Sequence, residues 1–216
     1  DHFLLKGALL FTLWYDMPHR ATRDACALFD FSFMGAWEIL GRDAAAHLVR
    51  LQTRDLRALA PGQAAYTLLL REDGTVVNDA TVWMFSPERY WLFTGRAADG
   101  DWVAAGAGAP DVQVRPREST AVIALQGPAS GAVLATLAGS EAVRALGYFR
   151  FAERELPGGP CLVARLGYSG ELGYEIVVDA SRAVATWQAI LAAGGAYGIR
   201  EAGFEAADSL RLECGH

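Results

Sequence analysis

Gln63-Ala-Ala-Tyr-Thr-Leu-Leu-Leu-Arg-Glu-Asp-Gly-Thr-Val-Val-Asn-Asp-Ala-Thr-Val-Trp-Met-Phe85 has the pattern of a β-hairpin. Two apolar runs flank Asp73-Gly74, a dipeptide suited to a tight turn between strands. The second run is rich in Val, Thr, Trp and Phe, which pack well on a pleated surface. Asp79 breaks the pattern, because Asp is depleted in strand interiors. Strict alternation puts Asp79 on one face with Val77, Thr81 and Trp83. A carboxylate on a partly apolar face needs a partner or an altered pKa. Pattern alone favours the alternative, an edge-strand Asp in solvent.

Outward from the hairpin, the chain alternates helices and strands irregularly. Upstream, 19–29 predicts a helix, Phe31 to Leu40 a strand, and Asp43 to Leu51 an Ala-rich helix capped by Asp43. Pro61-Gly62 marks the turn into the hairpin. Downstream, Arg89 to Gly95 is a strand, Asp99 to Ala107 a helix, and Val112 to Pro116 a short strand. Thr120 to Leu125 is a continuous apolar run, as in a buried strand. Helices follow near 129–137 and 140–146. Strands come next at Phe149 to Glu155, Cys161 to Leu166 and Tyr174 to Val178, then helices at Ser181 to Ala193 and Gly203 to Glu213. Strands joined by hairpins favour α+β with antiparallel sheet over a doubly wound parallel fold.

The chain has 216 residues, 52% of them hydrophobic and 20% charged, enough to bury a substantial core. Net charge is −6 and basic residues are scattered, which argues against a nucleic-acid surface. No apolar run is long enough for a membrane span. Residues 3–13 resemble a short signal-type stretch, but Lys6 interrupts it and no small-residue cleavage site follows; a buried strand or a trimmed start is expected instead. The three cysteines, Cys26, Cys161 and Cys214, form no Cys-x-x-Cys pair, which suits a reducing, cytoplasmic compartment. The four histidines show no metal spacing, and His47 is expected on a helix surface.

Gly167-Tyr-Ser-Gly-Glu-Leu-Gly173 is neither a nucleophile elbow nor a phosphate-binding loop, since it lacks the Gly or the Gly-Lys-Ser those motifs require. Its small residues are expected to let a ligand approach the backbone. Tyr168 could stack on a flat ring. Glu175 could accept two hydrogen bonds from an amino-substituted heterocycle, although pattern alone favours a solvent-facing strand residue.

Ala27 to Gly35, Pro61 to Thr67, Gly74-Thr-Val-Val-Asn-Asp79, Leu125-Gln-Gly-Pro128, Gly167 to Glu175 and Asp208-Ser-Leu-Arg-Leu-Glu213 stand in an order and spacing that resemble the aminomethyltransferase (glycine cleavage T-protein) family over roughly 20–216. The resemblance implies a folate-binding domain at 20–216, preceded by an N-terminal segment at 1–19. It implies intertwined α+β lobes with antiparallel sheets, with the family's C-terminal β-barrel expected to be absent or truncated here. It implies tetrahydrofolate as cofactor, with Asp79 as the functional carboxylate. Glu175 and Tyr168 would then hold the pterin, and Met34 and Tyr66 would line the folate site. A lipoyl carrier protein is the partner the family suggests.

Three positions depart from the family pattern. Phe33 stands for His, Gly95 for Asn and Ala207 for Arg. Gly95 is closer to the folate domains of dimethylglycine and sarcosine dehydrogenases. The pterin contacts are therefore expected to persist, while contacts to the rest of the folate and to the donor change. Tetrahydrofolate-dependent one-carbon transfer is the leading function. The alternatives are a folate-binding relative that assists iron–sulfur protein maturation and a folate-dependent demethylase.

Overall fold

The computed structural model describes residues 16–105 and 111–215. The expectations for 3–13 and for 106–107 lie outside them. The chain forms α1 (Asp16–Asp24), β1 (Ala27–Asp30), β2 (Gly35–Leu40), α2 (Ala44–Leu51), β3 (Gln63–Leu70), β4 (Val76–Ser86), β5 (Arg89–Thr94), α3 (Gly100–Ala105) and β6 (Gln113–Pro116). It continues through β7 (Thr120–Gln126), α4 (Ser130–Ala138), α5 (Ser140–Arg144), β8 (Phe151–Leu156), β9 (Gly159–Ala164), β10 (Gly173–Asp179), α6 (Ala183–Gly194), β11 (Arg200–Ala202) and α7 (Phe204–Glu213).

Two sheets result. One has the strand order β11-β1-β7-β10-β9-β8 and the other β3-β4-β5-β2-β6. Their strands pair antiparallel except β11, which runs parallel to β1. The chain leaves the first sheet after β1, builds the whole second sheet, and returns at β7 beside β1. The lobes are therefore intertwined, as expected. They are also tied edge to edge: the Ala64 N–H donates to the Phe149 carbonyl, and the Phe151 N–H to the Gly62 carbonyl, each at 2.9 Å.

Three apolar cores follow from strand alternation. The inter-sheet core takes Phe29, Val122, Leu162 and Val177 from one sheet and Trp83, Trp91 and Phe93 from the other. The opposite faces pack on helices. Leu28, Leu125 and Ile176 lie with Val133, Leu134, Trp187 and Ile190, and Ile39, Val82 and Leu92 lie with Leu48 and Val103. α7 plugs one end of the inter-sheet core with Ala206, Ala207 and Leu210.

Several local expectations are corrected. The helix predicted over 19–29 ends at Asp24, because Cys26 to Phe29 are all buried and Ala27 to Phe29 pair with β7 and β11. The predicted strand at Phe31 begins only at Gly35, after a turn in which the Met34 N–H donates to the Phe31 carbonyl. Asp43 precedes α2 but makes no side-chain cap; its carboxylate accepts from the Asp111 N–H at 3.1 Å. His47 is fully buried, its Nε2 lying 3.0 Å from the Val103 carbonyl oxygen. His47 belongs to the buried face with Ala44, Leu48 and Leu51, while Arg50 at the flank of that face is exposed. Strand β11 was not expected, since a three-residue strand carries little periodic signal.

Candidate functional site

The Asp73-Gly74 hairpin forms as expected, with Gly74 at φ 83°. Its register shifts between Leu69 and Leu70, where Leu69 pairs Asn78 but Leu70 pairs Val76. This bulge turns Val77 to the helix-covered core, so Val77 does not share the Asp79 face. Thr81 and Trp83 remain on the inter-sheet side, where the Trp83 indole N–H donates to Thr81 Oγ1 at 3.0 Å.

Asp79 is exposed, because the pairing of β4 with β5 begins only at Ala80. Beyond that point its strand has β3 alone as neighbour, with Asp79 opposite Leu68. The Asp79 N–H is satisfied by Asn78 Oδ1 at 2.9 Å. Asn78 is oriented in turn by Asp99, whose carboxylate accepts from Asn78 Nδ2 at 2.7 Å and from Arg96 Nε at 2.7 Å. Asp99 is itself buried. Sequence reasoning missed this network, because the pairing between 78 and 99 depends on the register of β4 with β5.

Tyr66 sits on β3 opposite Thr81, half exposed. Burial raises its phenol pKa, and the charge and hydrogen bond of Asp79 beside it add to that. Tyr168 lies against the inter-sheet core with its ring edge-on to Phe31, centroids 5.7 Å apart. Its phenol is pushed up to about 12, first by burial and then by Asp208, with Asp79 and Glu175 also contributing. Both carboxylates singled out from the sequence thus act on Tyr168. Met34 packs on the same core.

Glu175 is the unusual member. β10 turns Glu175 and Val177 to the inter-sheet face, and Tyr174, Ile176 and Val178 to the helices. Glu175 is only 8% exposed, which corrects the solvent-facing reading favoured by pattern. Burial alone pushes its pKa up to about 8. No hydrogen bond or ion pair to its side chain is found among the described residues. A buried carboxyl that lacks partners is costly, and such groups cluster where a ligand completes them.

The glycines of the loop also answer to packing: a Cβ on Gly167 or Gly173 would clash with the buried Gln126 side chain. Gln126 accepts from Ser169 Oγ at 2.7 Å and donates to the Leu166 carbonyl at 3.3 Å, locking the loop. Gly170, at φ +78°, leaves room for Cys214 Sγ, which a Cβ would meet at 1.9 Å. We expect Gly170→Ala to lower stability by roughly 1–3 kcal/mol, since strain and a displaced Cys214 add. Urea unfolding measures it, and an unchanged midpoint would contradict the loop's role. A cavity of about 400 Å³ opens at this loop beside Tyr148 and Arg165, but none of Met34, Tyr66, Asp79, Tyr168 or Glu175 lines it.

The three departures have structural counterparts. Phe33 packs edge-on against Phe204, centroids 5.0 Å apart. A Cβ at Gly95 would stand 3.0 Å from Asn78 Oδ1, so the missing side chain leaves space for the Asn78 carboxamide. Ala207 is buried in the inter-sheet core, and the nearby Arg211 is engaged by Asp208 at 2.7 Å.

Two interlocked, mainly antiparallel sheets with helices on their outer faces define an α+β domain. The chain belongs to the GCVT N-terminal domain family, whose model matches residues 12–216. It is 37% identical over 204 residues to an aminomethyltransferase of Chloroherpeton thalassium, covering 93% of this chain and 56% of that protein. It is 39% identical over 200 residues to the Bacillus subtilis aminomethyltransferase, covering 90% of this chain and 55% of that protein. The chain thus spans about half the length of the curated relatives it matches. The structure of glycine cleavage system aminomethyltransferase T from Bartonella henselae superposes with a TM-score of 0.80 at 30% identity, over 93% of this chain and 54% of that one. A chain of heterotetrameric sarcosine oxidase from Corynebacterium sp. U-96 shares the fold, with a TM-score of 0.63 at 21% identity over 87% of this chain and 94% of that one. Among the described residues no helix is long and apolar enough to cross a membrane.

Proposed function

We propose that this domain binds tetrahydrofolate between its two sheets and takes part in one-carbon transfer of the aminomethyltransferase kind. The observation that carries the proposal is Glu175, a buried carboxyl with no partner found among the described residues. A pterin edge presents an amino N–H and a ring N–H side by side, which one carboxylate can accept together. Tyr168 would flank that position with a partly buried ring, and Met34 would add an apolar contact. Asp79 and Tyr66 stand at the open rim, where the donor would approach. Tetrahydrofolate, when bound, supplies the nitrogen that takes the one-carbon unit. Asp79 would orient it and stabilise positive charge that develops in the transfer. A lipoyl carrier as the bearer of the aminomethyl group, and a cytoplasmic setting, belong to the same proposal.

Calorimetric titration with 5-formyltetrahydrofolate tests this. Near pH 7 the free Glu175 is largely protonated, with its pKa at about 8, while the bound form must be a carboxylate. Binding should therefore release close to one proton. The observed heat should shift with buffer ionisation enthalpy at pH 7, and much less at pH 9. Absence of saturable binding would overturn the folate proposal, and a buffer-independent heat would overturn the role of Glu175.

A further inference from the structure

Near the other end of β10 from Glu175, a second cleft of about 340 Å³ opens between the sheets. Its floor is apolar, with Phe85 and Trp91 from one sheet and Leu162 and Val177 from the other. Arg117 enters it just past β6, where its backbone N–H donates to the Ala36 carbonyl at 2.9 Å and extends the pairing. Its guanidinium lies 3.7 Å over the Trp91 ring. A guanidinium stacked in this way keeps its N–H fork in its own plane, beyond the ring edge. The Arg117 Nε is buried and has no acceptor among the described residues.

The nearby carboxylates are committed elsewhere. Glu38 Oε1 accepts from Arg89 Nε at 2.8 Å and from the Trp91 indole N–H at 3.2 Å. Asp179 accepts from Ser181 and Ser119. Glu153 lines the cleft from an exposed position. Arg89, over the Phe85 ring at 4.7 Å, and Arg182, which donates to the Pro160 carbonyl at 3.4 Å, complete the charged lining. Arg117 is thus a partly buried cation over an apolar floor, with an Nε that has no acceptor among the described residues.

We propose that this cleft binds a small carboxylic acid with a flat apolar body, its carboxylate on the Arg117 fork and its body on the Phe85–Leu162–Val177 floor. The cleft adjoins the proposed folate site: its floor residue Val177 is two residues from Glu175 on the same face of β10, about 7 Å at ~3.3 Å per residue, and its charged end at Asp179 lies about 13 Å away.

Benzoate is the probe and acetate its ring-free control, followed by NMR at the Trp91 indole N–H and the Arg117 Nε–H. Benzoate should give saturable shifts at both, at least tenfold tighter than acetate. Arg117→Gln should weaken benzoate at least tenfold. Arg117→Lys keeps charge and stem but loses the fork, and should weaken it as well. Glu175→Gln should leave benzoate binding unchanged. Absence of saturable shifts, equal binding of acetate, or full affinity in both Arg117 variants would overturn the site. Loss of benzoate binding in Glu175→Gln would also overturn it, by moving the ligand to the other end of the sheet.

Discussion

Glu175→Gln should yield a protein that is more stable at alkaline pH and nearly unable to hold folate. The stability half follows from linkage. The folded carboxyl titrates at about 8, above its ordinary value of 4.5, with burial as the cause. A raised folded pKa means that the associated stability is fully present below about 4.5 and is lost as pH rises through 8. The wild type should weaken over that window by an amount on the order of a few kcal/mol. Glu175→Gln removes the titration, so its urea midpoint should change less between pH 5 and pH 8.5, and the two proteins should diverge most at the alkaline end. Parallel pH profiles would sink the assignment. The binding half follows from donor–acceptor matching. Two adjacent N–H donors need two acceptors, and an amide offers one acceptor and one donor. The mismatch should weaken 5-formyltetrahydrofolate about 100-fold or more. Equal affinities would remove Glu175 from the site. A gain in stability together with a loss of binding marks a residue retained for function at a cost to the fold.

Residue pattern foretold much of this architecture, for identifiable reasons. The Asp73-Gly74 hairpin and the β7 run were legible because turn chemistry and continuous hydrophobicity are local signals. The α1–β1 boundary was not, because Ala25-Cys26-Ala27-Leu28 suits a helix until β7 and β11 claim it from far along the chain. Glu175 shows the same limit from the other side. Its strand is apolar at every neighbour from Tyr174 to Val178, yet a lone Glu in such a run usually points to solvent. Only the second sheet, packed over that face, buries it. Family resemblance singled out Glu175 and Asp79, but not the Asn78–Asp99–Arg96 network behind Asp79.

Asp79→Asn should lower one-carbon transfer by about 10²–10³-fold while changing folate affinity by less than about tenfold. The asymmetry comes from where the residue sits. Asp79 is exposed, with Tyr66 beside it, so little of the fold depends on its charge. Its backbone is nonetheless fixed, because Asn78 fills the pairing that β5 leaves open and Asp99 holds Asn78 in place. A rigid support under an exposed carboxylate suits a group that acts on charge developing in the reaction, rather than one that binds the ground state. Asn keeps the shape and loses the charge, so kcat should fall with KM for folate nearly unchanged. Tyr66→Phe, which removes only the neighbouring hydroxyl, should cost less than tenfold. Transfer from an aminomethyl-lipoyl donor to tetrahydrofolate is the assay. An Asp79→Asn enzyme within twofold of wild type would sink the role, and a matched loss of folate affinity would make Asp79 a binding residue instead.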